Sequence, residues 1–351
     1  MAALSTYGLP EFEALLAGWG FKPAHAGRVL RNFYATGGVS AAGQQPWPVG
    51  LREKLLAAHA PLSALAARQV AADGTAKLLL RLADGRTVES VLMPDYRPDR
   101  AAGCLSSQVG CAMGCDFCAT TQTGFERNLS AGEIVEQFLA LRAEALAAGR
   151  RLQTVVFMGM GEPMLNLDAV LTAVERIAGN TLGGLGWRQV TVSTVGIVPG
   201  IDALAASGLG VHLAVSLHAP DDATRARLLP MGRRFQVDEI LAAADRYQAA
   251  TGRPVIIQYC LLQDVNDSPA QARQLAGLLA GRRMHVNLLR YNPTGLSLRG
   301  EVYAAASEAR AEAFSAELRA GGVVAHFRRP RGRDIDAACG QLRRRVAATA
   351  R

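Results

Sequence analysis

Lysine is scarce in this sequence of 351 residues: Lys22, Lys54 and Lys77 are the only three, so nearly all of the 38 basic residues are arginine. Acidic residues number 30, which leaves a formal net charge of +8 and a pI of about 9.5. An excess of positive charge favours a polyanionic partner such as a nucleic acid. A compositional bias toward alanine and arginine explains the same excess, so charge alone does not identify the partner.

Long apolar segments are missing as well. No run of about eighteen uncharged apolar residues occurs, which argues against a membrane-spanning helix. The first ten residues have neither a basic start nor an apolar core, so the sequence predicts no signal peptide and a cytoplasmic location. Half of the residues are hydrophobic, and a chain of this length predicts one large α/β domain with a modest appendage.

The first 60 residues carry a helical pattern. Apolar residues recur at helical spacing over residues 11–35, with interruptions at Gly20 and Pro23, and a further helix is predicted at 51–58. We therefore interpret residues 1–60 as a small N-terminal helical module.

A β-hairpin linker region is predicted next, over residues 61–100. Two apolar-rich runs, 77–82 and 87–93, flank the pair Asp84-Gly85. Because Asp-Gly is a strong tight-turn signal, the two runs predict a β-hairpin.

From about residue 101 onward, short β-rich runs alternate with helical stretches. Such alternation predicts a parallel sheet with right-handed crossovers, in a domain that we place at residues 101–351. The pattern does not distinguish a doubly wound sheet from a partial barrel, but in both architectures ligands bind at the carboxyl ends of the strands. The predicted strands are 154–158, 189–193, 211–217, 255–261, 285–290 and 323–327. The predicted helices are 131–148, 168–178, 237–250, 269–280 and 304–320.

Three of the six cysteines form a tight cluster, since Cys111, Cys115 and Cys118 lie within eight residues. In a cytosolic chain such a cluster indicates metal binding or catalysis rather than disulfides. A four-iron cluster takes four ligands, so three local thiolates leave one iron open to a substrate or cofactor. Zinc is the alternative, although C-x3-C-x2-C is not a common zinc spacing. The candidates for a fourth zinc ligand are His212, His218 and Cys260.

Polar residues at the ends of the predicted strands are candidates for cofactor contacts. Gly161 and Glu162 follow the strand at 154–158, where a small residue permits a close approach of the backbone and a carboxylate can accept from an ammonium. Each candidate taken alone is also explained as a turn or cap residue. The remaining candidates at strand ends are Ser193, Ser216, His218 and Asn292.

The cysteine spacing, with Phe117 before the third cysteine, resembles the signature of radical S-adenosylmethionine (SAM) enzymes. This resemblance implies a [4Fe–4S] cluster whose open iron chelates the amino and carboxylate groups of SAM. An electron from the cluster would then cleave SAM to a 5′-deoxyadenosyl radical, which is chemistry that the cofactor brings and the protein positions.

Longer motifs extend the resemblance over residues 76–342. They include Gly103-Cys104-Leu-Ser-Ser-Gln-Val-Gly-Cys111, Met158-Gly-Met-Gly-Glu162-Pro, Ser216-Leu-His-Ala-Pro and Asp334-Ile-Asp-Ala-Ala-Cys339-Gly-Gln-Leu342. Together they resemble the RlmN/Cfr family of radical SAM RNA adenine methyltransferases. The resemblance implies a radical SAM partial (β/α)6 barrel, and it makes the N-terminal module an accessory RNA-binding module.

The resemblance also implies a role for each matching residue. The cluster would be held by Cys111, Cys115 and Cys118. The SAM contacts would be Gly161, Glu162, Ser193, Ser216, His218 and Asn292. The catalytic residues would be Cys339, Cys104 and Glu89. Cys260 matches no motif of the family, and we expect it to be an ordinary core residue on a strand.

The implied mechanism runs through a methylated cysteine and consumes two SAM molecules per turnover. The first SAM methylates Cys339, and the second yields the radical that removes hydrogen from this S-methyl group. The methylene radical adds to the adenine ring, Glu89 accepts a proton, and Cys104 resolves the protein–RNA crosslink through a transient disulfide with Cys339. A radical route suits adenine, because the C2 and C8 hydrogens are poorly acidic.

The resemblance implies RNA as the partner, 23S rRNA first and tRNA second, together with an electron donor such as flavodoxin or ferredoxin. Methylation at C2 is the preferred expectation. C8 is the alternative, since residues 285–294 resemble the Cfr branch, whereas Arg331-Gly332 resembles RlmN. Arginines at 328–333 and 343–345 are candidate phosphate contacts, although a solvated tail explains the last three equally well. An alternative from another class is a non-catalytic RNA-binding protein with a structural zinc site.

Overall fold

A computed structural model describes residues 3–36, 47–328, 331–332, 334–335 and 341–342. The predicted N-terminal helices are present: α1 (Leu9–Gly18), α2 (Ala26–Thr36) and α3 (Leu51–Ala58). The amphipathic helix α2 buries one face, which includes Phe33 and Tyr34. The Arg142 guanidinium donates to the Tyr34 carbonyl at 3.0 Å, so the helical module is joined directly to the following part of the chain.

The predicted hairpin is confirmed. Strand β2 (Ala76–Leu82) pairs antiparallel with β3 (Thr87–Pro94), and Gly85 has a φ of +82° in the turn between them. Strand β1 (Ser63–Val70) pairs antiparallel with the outer edge of β2. On the other side, β3 pairs antiparallel with β4 (Arg100–Cys104), so the hairpin region and the following domain share one sheet.

The main sheet has ten strands in the order β1-β2-β3-β4-β7-β8-β9-β10-β11-β12. From β4 to β12 every neighbouring pair is parallel. The remaining main-sheet strands are β7 (Arg151–Phe157), β8 (Val190–Thr194), β9 (His212–Ser216), β10 (Val255–Leu261), β11 (Met284–Arg290) and β12 (Ala325–Arg328). A separate antiparallel pair is formed by β5 (Gln108–Gly110) and β6 (Phe125–Asn128).

Seven crossover helices accompany the parallel strands: α4 (Ala131–Ala147), α5 (Leu167–Ala178), α6 (Val198–Ala206), α7 (Asp222–Leu228), α8 (Val237–Thr251), α9 (Pro269–Leu279) and α10 (Glu308–Ala320). Capping boxes define the starts of α4, at Ser130, and α9, at Ser268. Within the described residues, none of the helices is long and apolar enough to span a membrane.

The α/β fold class is confirmed, and all six predicted parallel strands are present. The structure adds β4, whose sequence Arg-Ala-Ala-Gly-Cys has little β propensity and therefore gives no strand signal. It also adds the short helices α6 and α7. The last helix begins at Glu308 rather than at residue 304, because the Ser307 side chain accepts from the Arg310 N–H and caps it there.

Candidate active site

A cavity of about 390 Å³ opens at the carboxyl ends of the parallel strands. All nine residues that the sequence assigns to the cluster and to SAM line this one cavity. They are Cys111, Cys115, Cys118, Gly161, Glu162, Ser193, Ser216, His218 and Asn292. Parallel strands bring their carboxyl ends to one edge of the sheet, which is why residues 180 positions apart meet here.

The three cysteines follow β5, in a loop that residues near β6 hold in shape. The Cys111 N–H donates to the Gly124 carbonyl at 2.9 Å. The Thr121 hydroxyl lies 2.9 Å from the Cys115 carbonyl and 2.8 Å from the Cys118 carbonyl. Gly110 precedes the loop with a φ of +77°, and a Cβ there would lie 1.8 Å from the Gly124 oxygen. Only glycine therefore fits this approach of the two strands.

Burial disfavours the charged form of these thiols. Desolvation raises the pKa of Cys111 to about 12 and raises that of Cys115 well above its ordinary value, with further increases from the neighbouring thiols. Thiolates at this position therefore need nearby positive charge, which the irons of a cluster supply on binding. In the part of the chain that the structure describes, no three His, Cys, Asp or Glu side chains converge on a single-ion site. Three thiolates in one loop are the kind of donor that an iron–sulfur cluster takes.

Glu162 is buried at the end of the glycine-rich turn after β7. Its two carboxylate oxygens accept from the Met164 N–H at 3.0 Å and from the Val195 N–H at 2.8 Å. Desolvation raises the pKa of Glu162 to about 7, although these hydrogen bonds act in the opposite direction. The Glu162 carboxylate therefore links the turn after β7 to the end of β8.

The turn itself depends on Gly161, which has a φ of +99°. A Cβ at this position would lie 2.6 Å from the Cβ of Gln108. The Gln108 side-chain oxygen Oε1 in turn accepts from the Glu162 N–H at 2.9 Å. Gly161 lines the cavity, where the sequence predicts a close approach of the backbone to a ligand, and the structure adds that a side chain here would collide with Gln108.

His218 lies after β9 in the left-handed region, with a φ of +59°. Its Nδ1 accepts from the Cys260 N–H at 2.9 Å, so the neutral ring carries its proton on Nε2. Burial, assisted by the positive charge of Arg225, lowers the pKa of His218 to about 3. The Phe117 ring meets the imidazole edge-on, with 5.1 Å between the ring centroids, and so joins the cysteine loop to the end of β9.

Arg225, on α7, is a functional residue that sequence reasoning missed. Its buried guanidinium donates to the carbonyls of Val195, Ser216 and Leu217, which lie at the ends of β8 and β9. Arg225 and Cys115 are close enough to interact electrostatically, and the positive charge favours the Cys115 thiolate. The residue thus fixes two strand ends and supplies charge beside the cysteine loop.

Gln258 and Cys260, on β10, line the cavity as well. Cys260 is buried in the core on a strand, as expected, and it lines the cavity as well. Gln258 pairs in register with Ser216, is 3% exposed, and both polar atoms of its carboxamide lack a hydrogen-bond partner in the described structure. A buried amide without hydrogen-bond partners lowers the stability of the folded protein unless a ligand forms hydrogen bonds with it.

Cys104 and Glu89 are not among the cavity-lining residues. Cys104 ends β4 and pairs with Val91 of β3, two residues after Glu89. Glu89 is buried and forms an ion pair with the equally buried Lys77 at 2.9 Å. The Ser106 hydroxyl connects β3 to the glycine-rich turn after β7. It donates to the Glu89 carbonyl at 2.7 Å and accepts from the Met160 N–H at 2.9 Å.

Cys339, the predicted methylated cysteine, lies outside the described residues. Two described neighbours contact the rest of the protein. The Gln341 amide donates to the Pro293 carbonyl at 2.9 Å, next to the cavity-lining Asn292. Asp334 accepts from the Ala72 N–H at 2.8 Å, in the β1–β2 turn.

Comparison with known proteins agrees with this geometry. Residues 105–276 match the model of the Radical SAM superfamily. The chain is 72% identical over 342 residues to the probable dual-specificity RNA methyltransferase RlmN 1 of Opitutus terrae, covering 97% of this chain and 96% of that protein. It is 43% identical over 342 residues to the probable dual-specificity RNA methyltransferase RlmN of Rhodopirellula baltica, covering 97% and 90%. A crystal structure of a radical SAM methyltransferase from Sphaerobacter thermophilus superposes with a TM-score of 0.90 at 42% identity, covering 97% of this chain and 99% of that one.

Proposed function

Because the chain belongs to the RlmN family of radical SAM RNA methyltransferases, we propose that it methylates C2 of adenine in 23S rRNA and in tRNA. The observation that carries the proposal is the convergence of all nine predicted cluster and SAM residues on one cavity. The term "dual-specificity" in the name of the Opitutus terrae protein supports two kinds of RNA substrate.

Membership of the radical SAM superfamily implies a [4Fe–4S] cluster and SAM. Cys111, Cys115 and Cys118 would hold the cluster in the loop after β5. Glu162 and Asn292 would be among the residues that bind SAM, at the ends of β7 and β11. When bound, the two groups supply an electron and a 5′-deoxyadenosyl radical, and we propose that two SAM molecules are used per turnover.

The proposed residue chemistry begins with transfer of a methyl group to Cys339 Sγ. Hydrogen abstraction from this methyl group then allows its carbon to bond to adenine C2. Glu89 would take the proton that C2 loses; it lies two residues before Val91, which pairs with Cys104. Cys104 would attack the sulfur of Cys339, which forms a disulfide and breaks the carbon–sulfur bond. The hydrogen of the Cys104 thiol would complete the methyl group of the released base, and the one electron left over would return to the proposed cluster. The contact between the Gln341 amide and the Pro293 carbonyl brings the described end of this motif next to the cavity-lining Asn292.

We also propose that three segments of the chain have different roles. The helical module at residues 1–60 would bind RNA, residues 61–100 would link it to the catalytic part, and residues 101–351 would carry the radical chemistry. Arg328 and Arg331 are the described members of the C-terminal arginine group, and both would contact phosphates. Reduced flavodoxin or ferredoxin would supply the electron, in the cytoplasm.

Two cysteine variants test the mechanism. In Cys104→Ala, the carbon–carbon bond forms but is not resolved, so protein crosslinked to RNA through Cys339 should accumulate as a ribonuclease-sensitive shifted band. Cys339→Ala should form neither adduct nor product, and wild-type protein isolated with intact cluster should carry one extra methylene on the Cys339 peptide. Cys260→Ala changes a cysteine that has no assigned role in resolving the crosslink, so this variant should accumulate no crosslinked protein.

The methyl-cysteine route is refuted if Cys339 is unmodified and Cys104→Ala forms no crosslink in preparations that still methylate RNA. Mass spectrometry of nucleosides from the product RNA locates the methyl group. A methyl group on C8 instead of C2 would assign the chain to the chemistry of the Cfr branch.

A further inference from the structure

A short hairpin covers the cysteine loop. It is formed by residues 296–302, where Leu296 and Val302 make an antiparallel bridge and the Ser297 N–H donates to the Glu301 carbonyl at 2.8 Å. We refer to it as the 296–302 hairpin. It follows the cavity-lining residues Asn292 and Thr294 in the chain.

The hairpin is attached directly to the loop that carries the three cysteines. Asp116, fully buried between Cys115 and Phe117, accepts from the Tyr303 hydroxyl at 2.7 Å and from the Arg299 N–H at 3.1 Å. From the other side, the Gln122 amide donates to the Leu296 carbonyl at 2.8 Å. The outer face of the hairpin is therefore one layer of polypeptide away from the cysteine loop.

That outer face is aliphatic and exposed. Leu296, Leu298 and Val302 are 65%, 52% and 74% exposed. Single exposed apolar residues are ordinary, but three on one seven-residue hairpin are typical of an interaction surface. Aliphatic side chains lack the π faces on which RNA bases stack, so this surface suits a protein better than a nucleic acid.

The charged groups around the hairpin are mostly positive. Arg299 is exposed on the hairpin itself, and Arg227 of α7 forms an ion pair with Glu301 at 2.8 Å. Arg233 and Arg234 are exposed beside the 3-10 turn Pro230–Arg233, which packs on the loop at Gly114. Because Glu301 is paired with Arg227, the net charge of these groups is positive, which favours an acidic partner and a faster encounter with it.

We propose that the 296–302 hairpin and its arginine rim form the docking surface for an acidic electron-transfer protein. The inference rests on the proposed function, which requires one electron from outside for each reduction of the cluster. In that step the donor loses one electron and the cluster gains it, with no bond made or broken. Encounters of this kind bury little surface, which agrees with the size of the patch.

Reduction kinetics test the proposal on the cluster-loaded enzyme. The double variant Leu296→Asp/Leu298→Asp should lower the rate of cluster reduction by reduced flavodoxin at least tenfold, followed by the loss of absorbance near 400 nm. Reduction by dithionite, a small molecule that needs no docking surface, should keep its wild-type rate. Leu146→Asp, at a residue 52% exposed on α4, is the matched control and should react normally with both reductants. Arg299→Glu should weaken the flavodoxin reaction and flatten its dependence on salt.

The outcomes separate the two proposals. Wild-type rates with flavodoxin in the double variant overturn the docking surface. An equal loss of RNA methylation with both reductants, while cluster reduction stays normal, assigns the patch to RNA and also overturns it. If wild-type enzyme reduced by dithionite methylates no adenine, the proposed function fails, whereas the flavodoxin reduction rates still decide the docking surface.

Discussion

The buried ion pair between Lys77 and Glu89 leads to a sharp prediction about stability. Both side chains are at most 1% exposed, and Nζ lies 2.9 Å from the carboxylate. Lys77→Met removes the positive charge but keeps most of the aliphatic volume. Glu89 is then buried without its charged partner, so the variant should lose stability far beyond the effect of a change in packing.

The distance sets the scale of the effect. Two unit charges 2.9 Å apart attract by about 6 kcal/mol at an effective dielectric constant of 20. Desolvation of both groups opposes this attraction, so the pair contributes much less to the net stability. Removal of one partner from a buried pair costs about 3–5 kcal/mol, because the remaining charge loses its compensation. We expect this cost for Lys77→Met and a similar cost for Glu89→Gln.

A double-mutant cycle measures the coupling. In urea unfolding of the cluster-loaded protein, Lys77→Met/Glu89→Gln should be more stable than the sum of the single losses predicts, by at least about 2 kcal/mol. Lys54→Met, on the exposed side of α3, is the matched lysine control and should change stability little. Additive losses in the cycle would refute the view that the two charges stabilise each other.

Three further predictions concern the cavity. Burial raises the pKa of Glu162 to about 7 in the folded state. In SAM-free protein, the free energy of unfolding should therefore fall by up to about 3 kcal/mol as the pH rises from 4.5 to 7. Glu162→Gln should abolish this fall. Gln258→Leu should weaken SAM binding about tenfold in calorimetric titrations, because the Gln258 carboxamide has no hydrogen-bond partner among the described residues. The control Gln248→Leu, on α8, should bind SAM normally. Cys115→Ala should lose iron and methylation together, whereas Cys260→Ala should retain its iron; loss of iron from the latter would indicate a fourth thiolate ligand.

The site features that could be predicted from the sequence are those that lie in one short motif or at the ends of predicted strands. The three cysteines lie in one loop, so their spacing alone locates the metal centre. Ser193, Ser216 and Asn292 could be found because alternating strands and helices imply where strand ends meet. The hairpin was predictable because Asp84-Gly85 lies between two apolar runs.

Other features depend on register and burial, which the sequence does not display. Arg225 resembles any arginine on a short helix until its carbonyl acceptors on two strand ends are seen. Gln258 stands out only because its amide is buried without partners. The pairing of Lys77 with Glu89 was indicated in part by the sequence, since each residue interrupts an apolar run of the predicted hairpin. That the two side chains meet is known only from the register of β2 and β3.

The position of Glu89 within β3 has a consequence for hydrogen exchange. β3 is an internal strand of the ten-stranded sheet, and the Glu89 carbonyl also accepts from Ser106. Backbone amides in such a strand exchange with solvent only through openings that approach global unfolding, whereas exposed hairpins exchange through small local fluctuations. Amides of β3 should therefore remain protonated in heavy water long after those of the 296–302 hairpin have exchanged. The proposed proton acceptor would thus be carried by one of the slowest-exchanging segments, and the surface above the cysteine loop by one of the fastest.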